Sequence, residues 1–363
     1  MSSIWGNKLK LSIFGESHGE AIGIVIDGMP PGINLNIDYI DKQMEKRAPG
    51  KNDISTSRKE KDSYKILSGF FEGKTTGTPL CAIIYNNDKK SNDYDKLKTI
   101  MRPSHSDYTG YIKYQGFNDY RGGGHFSGRI TAPLLFAGAI AMQILEQKNI
   151  YIGSRIKQIF NIKDVIDIEI NKNMICKLKE MNFPVISKDK KQIMKSEILK
   201  VKEKGDSLGG IIETYILNLP AGYGEPFFDS MESKLSHMIF SIPAIKGIEF
   251  GDGFHISELP GSYANDSFLI KDGKISTKTN RNGGILGGIT NGMPIIFRTA
   301  IKPTPSISTT QNTVDISTKE NTFIQIEGRH DPCIVPRVLP VIEGAAALVI
   351  LDSILERDGE LWN

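Results

Sequence analysis

Cysteine is scarce in this chain. Cys81, Cys176 and Cys333 are the only three in 363 residues, far apart and with no CxxC pair, which excludes a disulfide framework or a zinc ribbon. Charge of one sign is also lacking: 45 Lys+Arg face 42 Asp+Glu, a net charge of +3. No basic domain of the kind that grips nucleic acid follows from that balance. The two most apolar stretches, residues 134–145 and 339–351, are shorter than the ~18 residues of a membrane span, and the second holds Glu343. The opening residues show no long apolar core of a secretion signal. The expectation is a soluble, reducing, cytoplasmic-type protein with neither a membrane nor a nucleic-acid partner. Disorder is excluded too, since 39% hydrophobic residues offer enough apolar surface to fold.

Glycine, by contrast, is in excess. The chain has 36, about a tenth of all residues against a usual ~7%. There is no Gly-X-Y period, so this is not collagen. The glycines gather in GESHG, RGGGH, GDG and GGILGG, and none falls in residues 161–204. That stretch carries eleven lysines and neither arginine nor histidine. It reads as a solvated helical excursion rather than a site.

Strands and helices mix throughout. Residues 8–14 and 21–27 alternate as Ile- and Val-rich strands around GESHG, and residues 64–71 and 80–85 look like strands again. Residues 37–47 place Ile37, Ile40 and Met44 at helical spacing behind Asn36 as N-cap. Residues 129–147 and 338–356 are apolar nearly all round, as buried helices are. Later come strands at 210–217 and 294–301, with a helix near 229–242. Strands on both sides of buried helices predict an α+β fold, antiparallel sheets packed around a helical core as a β-α-β sandwich. No linker divides the chain, so a single domain spanning 1–363 is expected.

The chemistry-capable residues are concentrated. Lysine outnumbers arginine 34 to 11, which reserves arginine for places needing its planar, two-pronged grip on carboxylate or phosphate. Arg47 and Arg58 flank APGKNDISTS, Arg102 opens RPSHSDY, Arg121 and Arg129 frame RGGGHFSGR, and Arg329 and Arg337 bracket RHDPCIVPR. His18, His105, His125 and His330 sit in the same glycine- or arginine-bearing loops. Together they predict a cationic pocket for a multiply charged anion, with histidines available for proton transfer near neutral pH. Lys302-Pro303-Thr304-Pro305-Ser306 adds a stiff, hydroxyl-rich run able to hold a phosphate. Asp331 precedes a buried helix, where a carboxylate normally caps; in a cationic pocket it could also serve as a proton acceptor.

Three motifs mislead. GESHG fits the G-x-S-x-G nucleophile elbow, but the elbow stands between a strand and a helix, whereas AIGIVIDG after it reads as a strand. GFFEGKT is one residue short of a P-loop, and GGILGG misses the G-x-G-x-x-G fingerprint. The latter reads as a tight turn between strands, or as backbone able to approach a flat ring or phosphate. A Ser17 hydrolase and a non-catalytic flavin- or anion-binding module remain as rivals.

Six segments in register, GESHG, RPSHSDY, DYRGGGHFSGR, SIPAIKGIEFGDGF, residues 291–306 and GRHDPC, closely resemble the chorismate synthase family. The resemblance runs from about Gly6 to the C-terminal helix, with residues 161–204 contributing little. It implies a β-α-β sandwich, a homotetramer, and conversion of 5-enolpyruvylshikimate 3-phosphate to chorismate by trans-1,4 elimination of phosphate. It also implies reduced FMN as cofactor, with NADPH as a possible reductant of the flavin, and no metal.

The same resemblance implies residue roles. His18 protonates the departing phosphate, beside Ser17; His105 lies near the flavin; Asp331 relays a proton with a serine; Ser127 belongs to the flavin loop. Flavin contacts fall on His125, Phe126, Ser127, Pro243, Ala244, Gly287, Lys302, Pro303, Thr304, Pro305, Ser306 and Arg329. Arg47 marks the end that binds substrate phosphate or nicotinamide nucleotide, with Arg58, Arg102, Arg129 and Arg337 as further anion contacts. The chain departs from the family pattern at Asp53, where a second arginine is usual, at His125-Phe126 in place of Arg-Ser, and at Pro243 in place of Asn.

Overall fold

Alternation of buried and exposed residues builds the first sheet. The computed structural model describes residues 3–50, 54, 61–87, 98–165, 169–326 and 330–359. Strands β1 (Ile4–Trp5), β2 (Lys10–Gly15) and β3 (Ala21–Asp27) run antiparallel, and Ile22, Ile24 and Ile26 on β3 are fully buried on one face, the period of two that a strand imposes. Helix α1 (Ile37–Arg47) begins where expected, its Asn36 side chain accepting from the Tyr39 amide at 3.0 Å. Strand β4 (Tyr64–Ser68), the hairpin of β5 (Phe70–Phe71) and β6 (Lys74–Thr75), and β7 (Leu80–Tyr85) follow, giving a sheet of order β1-β2-β3-β7-β4.

After α2 (Asp107–Lys113), a glycine-rich turn leads into α3 (Thr131–Gln147). Next come β8 (Tyr151–Ile159), β9 (Ile162–Lys163), α4 (Lys172–Glu180), α5 (Lys188–Glu203) and β10 (Gly210–Leu217). The rest of the chain adds α6 (Met231–Phe240), β11 (Ile245–Phe250), the short α7 (Gly261–Ala264), and the hairpins of β12 (Phe268–Lys271) with β13 (Lys274–Thr277) and β14 (Ile285–Leu286) with β15 (Ile289–Thr290). Strand β16 (Ile295–Ile301), the hairpin of β17 (Gln311–Asp315) and β18 (Glu320–Ile324), and α8 (Val335–Asp358) complete it. The second sheet has order β11-β16-β10-β8-β9 and is antiparallel throughout.

Helices α3 and α8 lie between the sheets. α3 packs on β3 and β7, α8 on β8 and β10, and the two helices pack on each other. Their crossing is close: a Cβ on Gly138 would stand 2.4 Å from the Gly344 Cα, so glycine lets the backbones meet. The expected β-α-β sandwich of antiparallel sheets is thus observed. Both helices are longer than their apolar stretches, Gly128–Gln147 with its leading turn and Val335–Asp358, and both pass the length and hydropathy test for a membrane span. They are nonetheless wrapped by protein, with 83% and 94% of their most apolar windows buried.

Residues 161–204 depart from the solvated reading. α4 packs on β8, and Ile175, Leu178, Phe183, Val185, Met194 and Ile198 are buried. The lysines occupy the outward face of a layer that covers part of the second sheet. N- and C-terminal segments are tied by Asp352 of α8, whose carboxylate accepts from the amides of Asn7, Lys8 and Leu9 at 3.1, 2.8 and 2.7 Å.

Candidate active site

Five loop regions converge on one cavity of about 680 Å³, mid-range for small-molecule sites. Its walls come from residues 102–106 before α2, the glycine-rich loop with its continuation to Thr131, residues 240–246 between α6 and β11, residues 302–306 after β16, and the start of α8. The end of α1 contributes Arg47. Segments separated by hundreds of residues therefore share one wall.

The glycine-rich loop forms because it can bend where other residues cannot. Gly122, Gly123 and Gly124 all have positive φ, at 59°, 86° and 52°. A Cβ on Gly122 would lie 2.0 Å from His18 Cε1. The loop is thereby pressed onto GESHG, which joins β2 to β3 as a strand-to-strand connection and not as a nucleophile elbow. Ser17 Oγ lies 3.2 Å from His18 Nδ1 and near the Gly122 carbonyl at 3.3 Å. Ser17 and His18 sit behind Gly122 and do not themselves line the cavity wall.

His105 does line it. Its Nδ1 is 2.6 Å from Asp107 Oδ1, and Arg102 grips the same carboxylate through Nε and Nη2, each at 2.7 Å. Burial draws the His105 pKa below its ordinary value, opposed by the Asp107 carboxylate and assisted by Arg102 and Lys302. Burial alone would raise the Asp107 carboxyl, but bonds from Arg102 and His105 outweigh it and hold it far below the usual carboxylate range.

A second group of cations is organised by carboxylates. Asp62, almost fully buried, takes Arg47 on one oxygen and Arg129 on the other. Burial would raise the Asp62 pKa; the two guanidiniums win and lower it. Arg47 also donates to Thr131 Oγ1 at 2.9 Å and to the Gly128 carbonyl at 3.0 Å. Arg129 reaches Asn86 Oδ1 at 3.0 Å. Arg337 pairs with Asp331 and donates to the Arg47 carbonyl at 2.8 Å. Asp331 is therefore not a helix cap: the cap position of α8 is Ile334, with no side-chain bond. A salt link to Arg337 has replaced it.

The expected flavin contacts divide. His125, Phe126, Ser127, Pro243, Ala244, Lys302, Thr304, Pro305 and Ser306 line the cavity. His125 Nδ1 lies 2.9 Å from the Gly15 carbonyl, and the Phe126 ring packs tilted against Tyr114 with centroids 6.1 Å apart. Ser127 Oγ accepts from the Arg129 amide at 3.3 Å. Lys302 donates to the Ser104 carbonyl, and burial lowers its pKa. Pro303 is off the lining, and Gly287 sits in the turn between β14 and β15, facing open space. Arg58 and Arg329, with Asp53, lie outside the described residues. The buried Thr304 Oγ1 has no hydrogen-bond partner among the described residues. A planar heteroaromatic ring with a phosphate tail fits such a wall, which offers hydroxyls, an apolar Pro-Ala edge and cations.

Asp62 and Asp107 escaped the sequence reading, as did the wall residues Thr131 and Lys246. Asp107 stood inside RPSHSDY, two residues after His105, and that spacing was the available signal. Asp62 lies in EKDS, with no local pattern to betray it.

The family model described as chorismate synthase matches residues 9–355. A protein named chorismate synthase from Thermococcus kodakarensis is 44% identical over 355 residues, covering 97% of each chain. One of the same name from Pyrococcus abyssi is 45% identical over 358 residues, again with 97% of each chain covered. A solved structure titled as a crystal structure of chorismate synthase superposes with a TM-score of 0.76 at 29% identity, covering 97% of this chain and 93% of that one.

Proposed function

The chain belongs to the chorismate synthase family, and from that premise we propose how its own residues carry out the reaction. The family performs the last step of the shikimate pathway as a carbon–oxygen lyase. The substrate we assign to the cavity is 5-enolpyruvylshikimate 3-phosphate. Its C–O bond to phosphate breaks, phosphate leaves with the electron pair, and a ring C–H gives up its hydrogen as the new double bond forms. The observation that carries the reading is the meeting of His105, Ser127, Asp331 and a set of carboxylate-held arginines in one cavity.

Lys302, Thr304, Ser306, Phe126 and the Pro243-Ala244 edge would hold reduced FMN. What that cofactor supplies when bound is electron density lent to a substrate ring whose hydrogen is too weakly acidic for a simple base. Arg47, Arg129 and Arg337 set the positive field that receives the phosphate and carboxylates of the substrate. To His18, which lies behind Gly122 and off the cavity wall, we assign the proton for the departing phosphate. Asp331, held by Arg337, relays with a serine the proton that leaves the ring. Thr131 accepts from the Arg47 guanidinium and Ser127 from the Arg129 amide, so the cationic wall does not reorganise as charge leaves. We also propose a homotetramer, read by light scattering.

Anaerobic incubation with reduced FMN and the phosphorylated substrate tests this reading. Chorismate absorbance and inorganic phosphate are expected in equal amounts. Binding without turnover, or ester cleavage abolished by Ser17→Ala, overturns it. A parallel reaction in air with NADPH alone tells whether the protein reduces its own flavin.

A further inference from the structure

His105 stands in an arrangement with a single consistent proton placement. Asp107 Oδ1 lies 2.6 Å from Nδ1, a distance that requires a hydrogen between the two atoms. Arg102 Nη2 lies 3.1 Å from the same nitrogen. One ring nitrogen cannot both accept from Arg102 and donate to Asp107. Arg102 already directs Nε and Nη2 at the two Asp107 oxygens, each at 2.7 Å, and its Nη1 lies 3.5 Å from Ser306 Oγ. The carboxylate, bridged by a guanidinium, is ionised and has no hydrogen to give. The shared hydrogen therefore belongs to the imidazole.

We propose that Asp107 is a positioning residue for the reaction: it holds the Nδ1–H tautomer of His105, so that Nε2 is the only ring position exchanging protons with the cavity. Nε2 lies on the side of Gly123, where a Cβ would come within 3.2 Å of it. The glycine leaves that approach clear. Asp107 also offsets the positive groups that face the ring, Arg102 from the same loop and Lys302 from the loop after β16. Ser104, Ser106 and Ser306 are the remaining polar neighbours on those loops and carry no charge. The proposal rests on the reading of His105 as a proton-transfer group in the family reaction.

The test uses the full protein without added cofactor, labelled with ¹⁵N at histidine, and follows long-range ¹H–¹⁵N correlations across a pH series. His105 is assigned by the signal missing in His105→Ala. In the native protein the neutral ring is expected as the Nδ1–H tautomer. Asp107→Asn should convert it to a mixture or to Nε2–H and lower its titration midpoint by about one pH unit. Arg102→Gln keeps the Asp107 contact, so it should retain the Nδ1–H tautomer, and it serves as the second variant should Asp107→Asn fold poorly. An unchanged tautomer in Asp107→Asn, or an Nε2–H ring in the native protein, overturns the proposal. In the turnover assay, Asp107→Asn should lower kcat tenfold or more with little change in KM, and Asp107→Glu should recover part of it. A tautomer that changes while kcat stays put upholds Asp107's hold on the ring and instead overturns the catalytic role of His105.

Discussion

On the outer face of the second sheet, Arg155, Glu213, Arg298 and Glu249 stand side by side on β8, β10, β16 and β11, paired in direct register. At the cavity, Arg47, Arg129, Arg102 and Arg337 pair with Asp62, Asp107 and Asp331 on loops and helix ends, Arg102 with Asp107 and Arg337 with Asp331 a few residues away, and Arg129 with the distant Asp62. The groups are the same; their settings differ. In the sheet, Glu213 is bound by Arg155 at 2.7 Å and by Arg298 at 2.9 Å, and Arg298 continues to Glu249 at 2.6 Å and to the Gly251 carbonyl at 2.8 Å. That ladder closes on itself, as cross-strand pairs do. At the cavity the cations, with Lys302 and Lys246 beside them, outnumber the carboxylates and border open volume. A network that satisfies itself holds strands together, while one left with net positive charge along a cavity is ready for an anion.

Variants can break this contrast. The largest effect is expected from His105→Ala, which should lower turnover by ~10²–10⁴-fold, the usual loss of general acid–base catalysis. Glu213→Gln should leave turnover near wild type, and equal losses in the two would erase the functional distinction between the networks. Next comes Asp62→Asn, which removes the carboxylate shared by buried Arg47 and partly buried Arg129. A stability loss of about 3–5 kcal/mol in urea melts is expected, together with weaker substrate binding. A melt indistinguishable from wild type would show that Asp62 is not the hub.

Glu213→Gln should cost less, about 1.5–3 kcal/mol for lost bonds to charged groups, and it sharpens the comparison through pH. Burial alone would raise the Glu213 carboxyl, but Arg155, Tyr215, Lys157 and Arg298 bring it down to about 2 from its ordinary 4.5. Between those values the unfolded chain binds more protons than the folded one. The stabilisation is therefore complete above about pH 4.5 and is lost as pH falls toward 2. Thermal melts should show wild type losing more than Glu213→Gln across that window. Parallel curves would refute the assignment.

How much was legible follows from the range of each interaction. The helix Ile37–Arg47 with its Asn36 cap, and the strands Ala21–Asp27, Leu80–Tyr85 and Gly210–Leu217, occupy the expected residues, because periodicity and capping act over a few positions. In GGILGG only Gly287 and Gly288 form the expected turn, because Ile285–Leu286 pair as strand β14 with β15. The lysine-rich stretch misled because its composition hides six buried apolar residues among many charges. For Asp331 the sequence left a cap and a proton acceptor open, and the pairing with Arg337 in the first turn of α8 excludes the cap.

By itself the sequence determined the kinds of element, their order, the glycine turns and the family. Tertiary structure decided which distant charges meet: that Asp62 joins Arg47 to Arg129, that the Arg102–His105–Asp107 cluster, itself local to one loop, shares a cavity with Lys302 and Arg337, and that Gly287 stands apart from it. The physical reason is that local propensity is set by adjacent residues. An ion pair between distant residues, or a cavity wall, exists only after burial of α3 and α8 between two sheets has carried distant loops to the same place.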